Sequence, residues 1–161
     1  MATKKPHADP AIATNRRARH EYLIEESLET GIALQGSEIK SLREGRASLQ
    51  DAFAQVKDRE VYLFNAHIPP YSHGGYANHV PTRPRKLLLH RAQIARLVGQ
   101  TKEKGMTLIP LKMYFKGHLV KVELGLAKAK RLYDRRQDLA KKDAEREMAR
   151  AQRVRTRKEG K

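Results

Sequence analysis

Cysteine is absent from the 161 residues, and so is tryptophan. Without thiols the chain can build neither a disulfide framework nor a thiolate metal site, and a reducing cytoplasm is its expected setting. Aromatic rings are scarce, three Phe and six Tyr. No run approaches the roughly 18 apolar residues that a membrane-spanning helix requires. The basic segments also carry too few large apolar side chains to lie in a bilayer surface, so no membrane role is expected. No apolar secretory segment follows Lys4 and Lys5, and the chain is expected to keep its start. Acidic residues are outnumbered, 18 Asp and Glu against 34 Lys and Arg, which leaves +16 at neutral pH and a pI near 10.3. Such a field draws a polyanion, and with the membrane set aside nucleic acid is the expected one.

What apolar content there is, 39% with a mean hydropathy of −0.75, is concentrated between Tyr22 and Leu126. Residues 1–15 are polar, contain Pro6 and Pro10, and read as a flexible arm. Residues 16–127 hold enough large side chains for a core. Tyr22, Ile24 and Leu28 fall on alternate positions, predicting a strand that meets a turn or bulge at Gly31 before Ile32 and Leu34. The segment from Gly36 to Gly45 predicts a short helix carrying Ile39 and Leu42 and closed by glycine. Residues 52–56 and 61–68 flank the polar Lys57-Asp58-Arg59-Glu60 as a hairpin, stopped by Pro69-Pro70. Tyr71 to Pro84 is a loop, Lys86 to Leu89 a short strand, and Ile94, Leu97 and Val98 one face of a helix.

A second hairpin is the clearest element. Thr107, Ile109, Leu111, Met113 and Phe115 alternate with more polar neighbours apart from Leu108. Beyond Lys116-Gly117-His118, Val120, Val122, Leu124 and Leu126 alternate as well, which predicts one buried and one wet face. Several short strands without a βαβ rhythm predict a mainly β domain, an OB-like β-barrel with two or three short helices.

Residues 128–161 carry fourteen Lys or Arg against six Asp or Glu, with no glycine or proline from Leu126 to Glu159. The composition favours helix. Leu132, Tyr133, Leu139, Met148 and Val154 nevertheless form no continuous apolar stripe with which to dock. This basic C-terminal tail is expected to be disordered alone and helical when bound to a polyanion.

Three basic clusters stand out: Asn15-Arg16-Arg17-Ala18-Arg19-His20, Arg83-Pro84-Arg85-Lys86, and Lys128-Ala129-Lys130-Arg131 with Arg135-Arg136. Guanidinium groups pair with phosphate and stack on unpaired bases, which suits folded RNA. Tyr71, Tyr76 and Tyr133 lie in loop or tail sequence, and Tyr133, between Arg131 and Arg135, is placed to stack on a base. Catalysis finds no anchor. Glu25 and Glu26 are neighbours on a strand and face opposite ways. His67, His73 and His79 lack a zinc spacing, and neither a phosphate-binding glycine loop nor a nucleophile elbow is present. No cofactor and no metal are expected. Glu38, an acid that stands out in a basic protein, either complements the N-terminal end of its short helix, accepts hydrogen bonds from RNA, or orients Lys40 and Arg43.

Five ordered segments resemble those of the SsrA-binding protein (small protein B) family: Asn15-Arg16-Arg17-Ala18-Arg19-His20-Glu21-Tyr22, Leu34-Gln35-Gly36-Ser37-Glu38-Ile39-Lys40-Ser41-Leu42-Arg43, Pro81-Thr82-Arg83-Pro84-Arg85-Lys86-Leu87-Leu88-Leu89, Pro110-Leu111-Lys112, and the run from Ala127 to Arg136. The likeness covers about Asn15 to Arg153. It implies an OB-fold barrel that grips the tRNA-like domain of transfer-messenger RNA, with Glu38, Lys40 and Arg43 at the RNA and Asn15, Arg16, Arg19, Arg85 and Lys86 in support. It also implies that the tail, here Lys128, Lys130, Arg131, Tyr133, Asp134, Arg135 and Arg136, enters the decoding centre of the small subunit and the empty messenger channel of a stalled ribosome. Delivery with elongation factor Tu is implied as well, as a monomer. The family commonly has glycine where this chain has Ala129, which bears on any positive φ there. The rival reading of a different class is a structural ribosomal protein with a basic extension.

Overall fold

The computed structural model describes residues 11–75, 78–130 and 132–159. The chain divides into two units, Met1–Ala129 and Lys130–Lys161. In the first, β1 (Ala11–Thr14) and α1 (Ala18–Glu21) lead into the long β2 (Tyr22–Ile32), then α2 (Gly36–Arg43). β3 (Phe53–Lys57), β4 (Glu60–Phe64) and β5 (Arg85–Leu88) follow, then α3 (Arg91–Glu103) and the hairpin of β6 (Thr107–Lys116) with β7 (Leu119–Ala129). The second unit holds one helix, α4 (Leu132–Glu159).

All pairings are antiparallel, in the order β1-β6-β3-β4-β5-β2-β7, and β6 also pairs with β7. That last pairing closes β6, β3, β4, β5, β2 and β7 into a barrel, so those strands expose no long edge. β1 lies on β6 beside the ring, with Thr14 opposite Lys112. The interior is aliphatic: Leu42, Leu49, Val61, Leu63, Leu87, Leu108, Met113, Val122 and Leu124 are fully or almost fully buried, and Ile94 and Leu97 of α3 join them.

The hairpin at residues 53–64 forms as the sequence predicts, with Lys57 opposite Glu60. Its two-residue turn places Asp58 and Arg59 at φ of 52° and 63°, the handedness that matches the twist of the strands. Gly45 closes α2 at φ 75°, also as expected.

Five expectations give way. The N-terminal arm of residues 1–15 is in part a strand, because Ala11–Thr14 finds the open edge of β6. β4 stops at Phe64, ahead of Pro69-Pro70, because Asn65 turns the backbone at φ 61°. Gly31 makes no turn; it continues β2, bonded to both β5 and β7, and its missing side chain admits Leu88, whose Cβ would lie 3.1 Å from an added methyl. The irregularity in β2 falls instead between Ile24 and Glu26. The single buried face expected for residues 107–115 is two faces. A bulge between Pro110 and Lys112 shifts the phase, so Leu108 and Met113 enter the barrel while Ile109 and Leu111 pack outside it with Ala18 and Ala127. Proline cannot donate to the ladder, which is where such a break belongs. Finally, β7 runs to Ala129, two residues past the barrel limit expected at 127; Lys128 sits opposite Leu23 and Ala129 opposite Tyr22. Ala129 is thus ordinary strand, and the positive φ that a glycine would permit is not used there.

α4 takes the helical form that the tail composition favours, over 28 residues. Lys130, ahead of its first turn, is ion-paired to Asp138. Hydrogen bonding from Lys130 holds the Asp138 carboxyl below its ordinary range. No helix among the described residues is long and apolar enough to cross a membrane.

Candidate nucleic-acid interface

α2 begins with a reciprocal cap: the Gln35 side chain serves the N–H of Glu38, and Glu38 Oε1 accepts from the Gln35 N–H at 3.1 Å. The helix therefore starts on Gln35, and Glu38 does complement its N-terminal end. The same carboxylate goes further. Arg85 Nε donates to Oε2, and Arg83 Nε donates to Oε1 at 2.7 Å. Glu38 and Arg85 are both 0% exposed, Arg83 about one quarter. Arg85 also donates to Ala66 O at 2.7 Å and Pro81 O at 3.0 Å, so each of its three nitrogens has a partner. A buried ion pair tolerates desolvation when further hydrogen bonds support both charges, as they do here. Burial pushes the Glu38 carboxyl up, but the hydrogen bonds from Arg85, Arg83 and the Gln35 N–H outweigh it and hold the group below its ordinary value.

Two further bonds sew the 66–84 loop to the helix. Ser41 Oγ donates to Pro69 O at 2.7 Å. His79 is 6% exposed and sits 2.8 Å from Ile68 O through Nε2 and 2.9 Å from Ser37 Oγ through Nδ1. A carbonyl can only accept, so Nε2 donates to Ile68 O, and the serine hydroxyl, which can donate or accept, meets Nδ1. The outcome is a helix clamped from beneath, with Lys40 and Arg43 exposed above. Lys40 Nζ lies 5.4 Å from the centre of the Tyr71 ring.

The residues singled out from sequence therefore separate. Lys40, Arg43 and Lys86 are exposed, Lys86 beside Glu60 at 3.4 Å. Arg16 and Arg19 are exposed around α1, which is fixed by buried Ala18. Glu38 and Arg85 present no surface. Asn15 is 5% exposed and pins the chain to the β6 bulge, its N–H on Leu111 O at 2.8 Å and its Nδ2 on Pro110 O at 3.0 Å. Lys128 projects from β7 near Glu25, at 3.6 Å, and Arg136 is exposed on α4. Arg131 and Tyr76 lie outside the described residues, as do the side chains of Tyr133, Asp134 and Arg135. The contacts of Arg83, Ser37, Ser41 and His79 with α2 and its loop emerge from the structure alone. Arg83 stood in a noted basic cluster, but nothing in the loop sequence signals that His79 turns inward. Among the described residues no group of three or more His, Asp or Glu could hold a metal ion.

Comparison with known proteins places this geometry. The SsrA-binding protein of Chloroflexus aggregans is 58% identical over 152 residues, covering 94% of this chain and 96% of its relative. That of Carboxydothermus hydrogenoformans is 56% identical over 144 residues, 89% and 97% of the two chains. A solved structure described as "tmRNA-SmpB: a journey to the center of the bacterial ribosome" contains a chain 52% identical, with a TM-score of 0.62 over 74% of this chain and 84% of that one. The family model for the SmpB protein matches residues 12–154, from β1 to within α4, and the chain belongs to that family.

Proposed function

We propose that the chain is an RNA-binding adaptor of trans-translation: the barrel binds the tRNA-like domain of transfer-messenger RNA and delivers it, with elongation factor Tu, to stalled ribosomes. The observation that carries this is the clamped α2, whose backbone, bearing the exposed Lys40 and Arg43, is anchored by a wholly buried Glu38–Arg85 pair. A backbone ordered in advance lowers the ordering cost of binding a folded RNA. Lys40, Arg43, Lys86, Arg16 and Arg19 are the contact residues in this reading; Glu38, Arg85 and Asn15 position the backbone that bears them. The tail, with Lys128, Lys130, Arg131, Tyr133, Asp134, Arg135 and Arg136, occupies the decoding centre and the empty messenger channel. The protein acts as a monomer in the cytoplasm and binds rather than catalyses.

Removing Tyr133 to Lys161 is expected to spare affinity for transfer-messenger RNA and to abolish peptide tagging on stalled ribosomes. Tagging at the normal rate without those residues would refute the division of labour. Arg43→Ala is expected to weaken RNA binding several-fold at unchanged thermal stability, since an exposed phosphate contact carries affinity and not packing.

A further inference from the structure

The barrel interior makes almost no use of the few aromatic rings. Among the described residues Tyr114 is the one aromatic that is buried, at 8% exposure, and the largest fully buried side chains include no ring. Three of the others are gathered on one strip. Phe53 lies opposite Phe64 and Gln55 opposite Tyr62, on the face of the β3–β4 hairpin away from the core residues Ala54, Val61 and Leu63. Phe53 also packs in part against the smaller cluster of Ala18, Ile109, Leu111 and Ala127. Phe53 and Phe64 stack with centroids 5.4 Å apart and 19° between planes, and Tyr62 tilts against Phe64 at 6.5 Å. All three remain partly exposed, and Lys86 stands beside Tyr62 in the next strand.

The strip runs into a concavity. Phe53 also lines a cleft of about 770 Å3, whose rim carries Arg17, Arg59 and Lys102. Arg59 and Asp58 hold the turn at this rim with left-handed backbones, where a turn of Asn-Gly would close the hairpin without strain. The position keeps a cation at the cleft instead. Glu21, Asp51 and Asp58 line the same cleft, so it is not a bare phosphate trap. Arg17 is held by Glu21 and Asp51 only at 3.7 and 3.8 Å, with half its side chain exposed, so a phosphate can exchange for those partners. Selectivity in such a place must come from the rings, and every unpaired base offers a face to stack on.

We propose that the Phe53–Phe64–Tyr62 strip and the adjoining cleft form a stacking platform for unpaired RNA bases, separate from the α2 clamp. The inference rests on the RNA-binding role proposed above. It is tested with the full chain and an eight-nucleotide single-stranded RNA carrying 2-aminopurine, whose fluorescence falls when the base stacks. The expected result is quenching on binding, which the Phe53→Leu/Phe64→Leu double variant largely abolishes while weakening affinity about tenfold. The slope of log affinity against log salt is expected to stay unchanged, because no charge is lost, whereas Arg59→Gln is expected to reduce that slope by about 0.7, one phosphate contact on a single strand. Should the double variant not fold, Tyr62→Leu, away from the cleft wall, carries the same expectation for the quench. Binding through the basic tail alone, or a strip that serves a protein partner, leaves the fluorophore bright at saturation and overturns the proposal. So does quenching that survives in a variant with the parent's thermal midpoint. Affinity for the tRNA-like domain of transfer-messenger RNA is measured in parallel: failure there with the quench intact refutes the adaptor role and leaves the platform standing.

Discussion

At the scale of single residues, Glu38 shows how a side chain of apparent recognition chemistry becomes part of the scaffold. Its two oxygens hold Arg85, Arg83 and the start of α2 at once. Glu38→Ala leaves the Arg85 guanidinium buried without a counter-charge, and a loss of about 3–5 kcal/mol in unfolding free energy is expected from denaturant titration. RNA affinity should then fall together with the folded fraction, whereas Arg43→Ala should lower affinity with the denaturation midpoint unmoved. The acid limb of stability follows from the same pair. Because the folded carboxyl titrates below its ordinary value of 4.5, its contribution is complete above that pH and is withdrawn as the pH falls through the lowered folded value. Glu38→Gln is expected to flatten the curve of midpoint against pH in that acid range. A shallower dependence should remain from Glu29, whose carboxyl the hydrogen bond from Tyr114 also holds low.

Elements are set by local chemistry, and their phase by what they meet. The turn at Asp58-Arg59 was legible as a polar interruption between two apolar runs, and α2 as a short amphipathic turn ending in glycine. The phase of β6 was not legible: Pro110 marks a break, but only the pairing with β7 and the capture of two carbonyls by Asn15 fix where the extra residue goes. Glycines in strands divide the same way. A methyl on Gly125 would meet three atoms of Leu111 at 3.2 Å, and Leu111 is buried. Gly125→Ala is therefore expected to cost about 1–3 kcal/mol in denaturant titration. Gly31→Ala meets the Cβ of Leu88 at 3.1 Å, which moves only with the β5 backbone even though the side chain is 51% exposed, so a smaller cost of about 1 kcal/mol is expected. Replacing Asp58-Arg59 by Asn-Gly relieves two left-handed side-chain-bearing residues and is expected to stabilise the hairpin by about 1 kcal/mol, read as a rise in thermal midpoint.

For the whole molecule, both core clusters lie within the first unit, between Ile12 and Ala127. A chain ended at Ala129 is expected to unfold in a single transition at the parent's midpoint while losing much of its helical circular dichroism. A parent midpoint several degrees higher would show that the tail contributes to barrel stability. The net charge of +8 on residues 128–161 should appear in a salt titration against RNA: each phosphate released lowers the slope of log affinity by about 0.9, or about 0.7 for single strands. The shortened chain should therefore show the shallower slope.

Composition and periodicity by themselves determined the basic, thiol-free class, the presence of most of the barrel strands and the helical character of the tail, while the ordered segments carried the resemblance to the family. These are local properties, set by which side chains must leave water and which backbone angles each residue tolerates. The tertiary structure alone decided which of the marked residues face outward. Burial of Glu38 and Arg85, the inward turn of His79, the pinning of Asn15 and the outward row of Phe53, Phe64 and Tyr62 all depend on partners far along the chain. A sequence records the charge and size of a side chain, but its role depends on the atoms that folding brings within 3 Å of it, and those are chosen by the closure of the barrel.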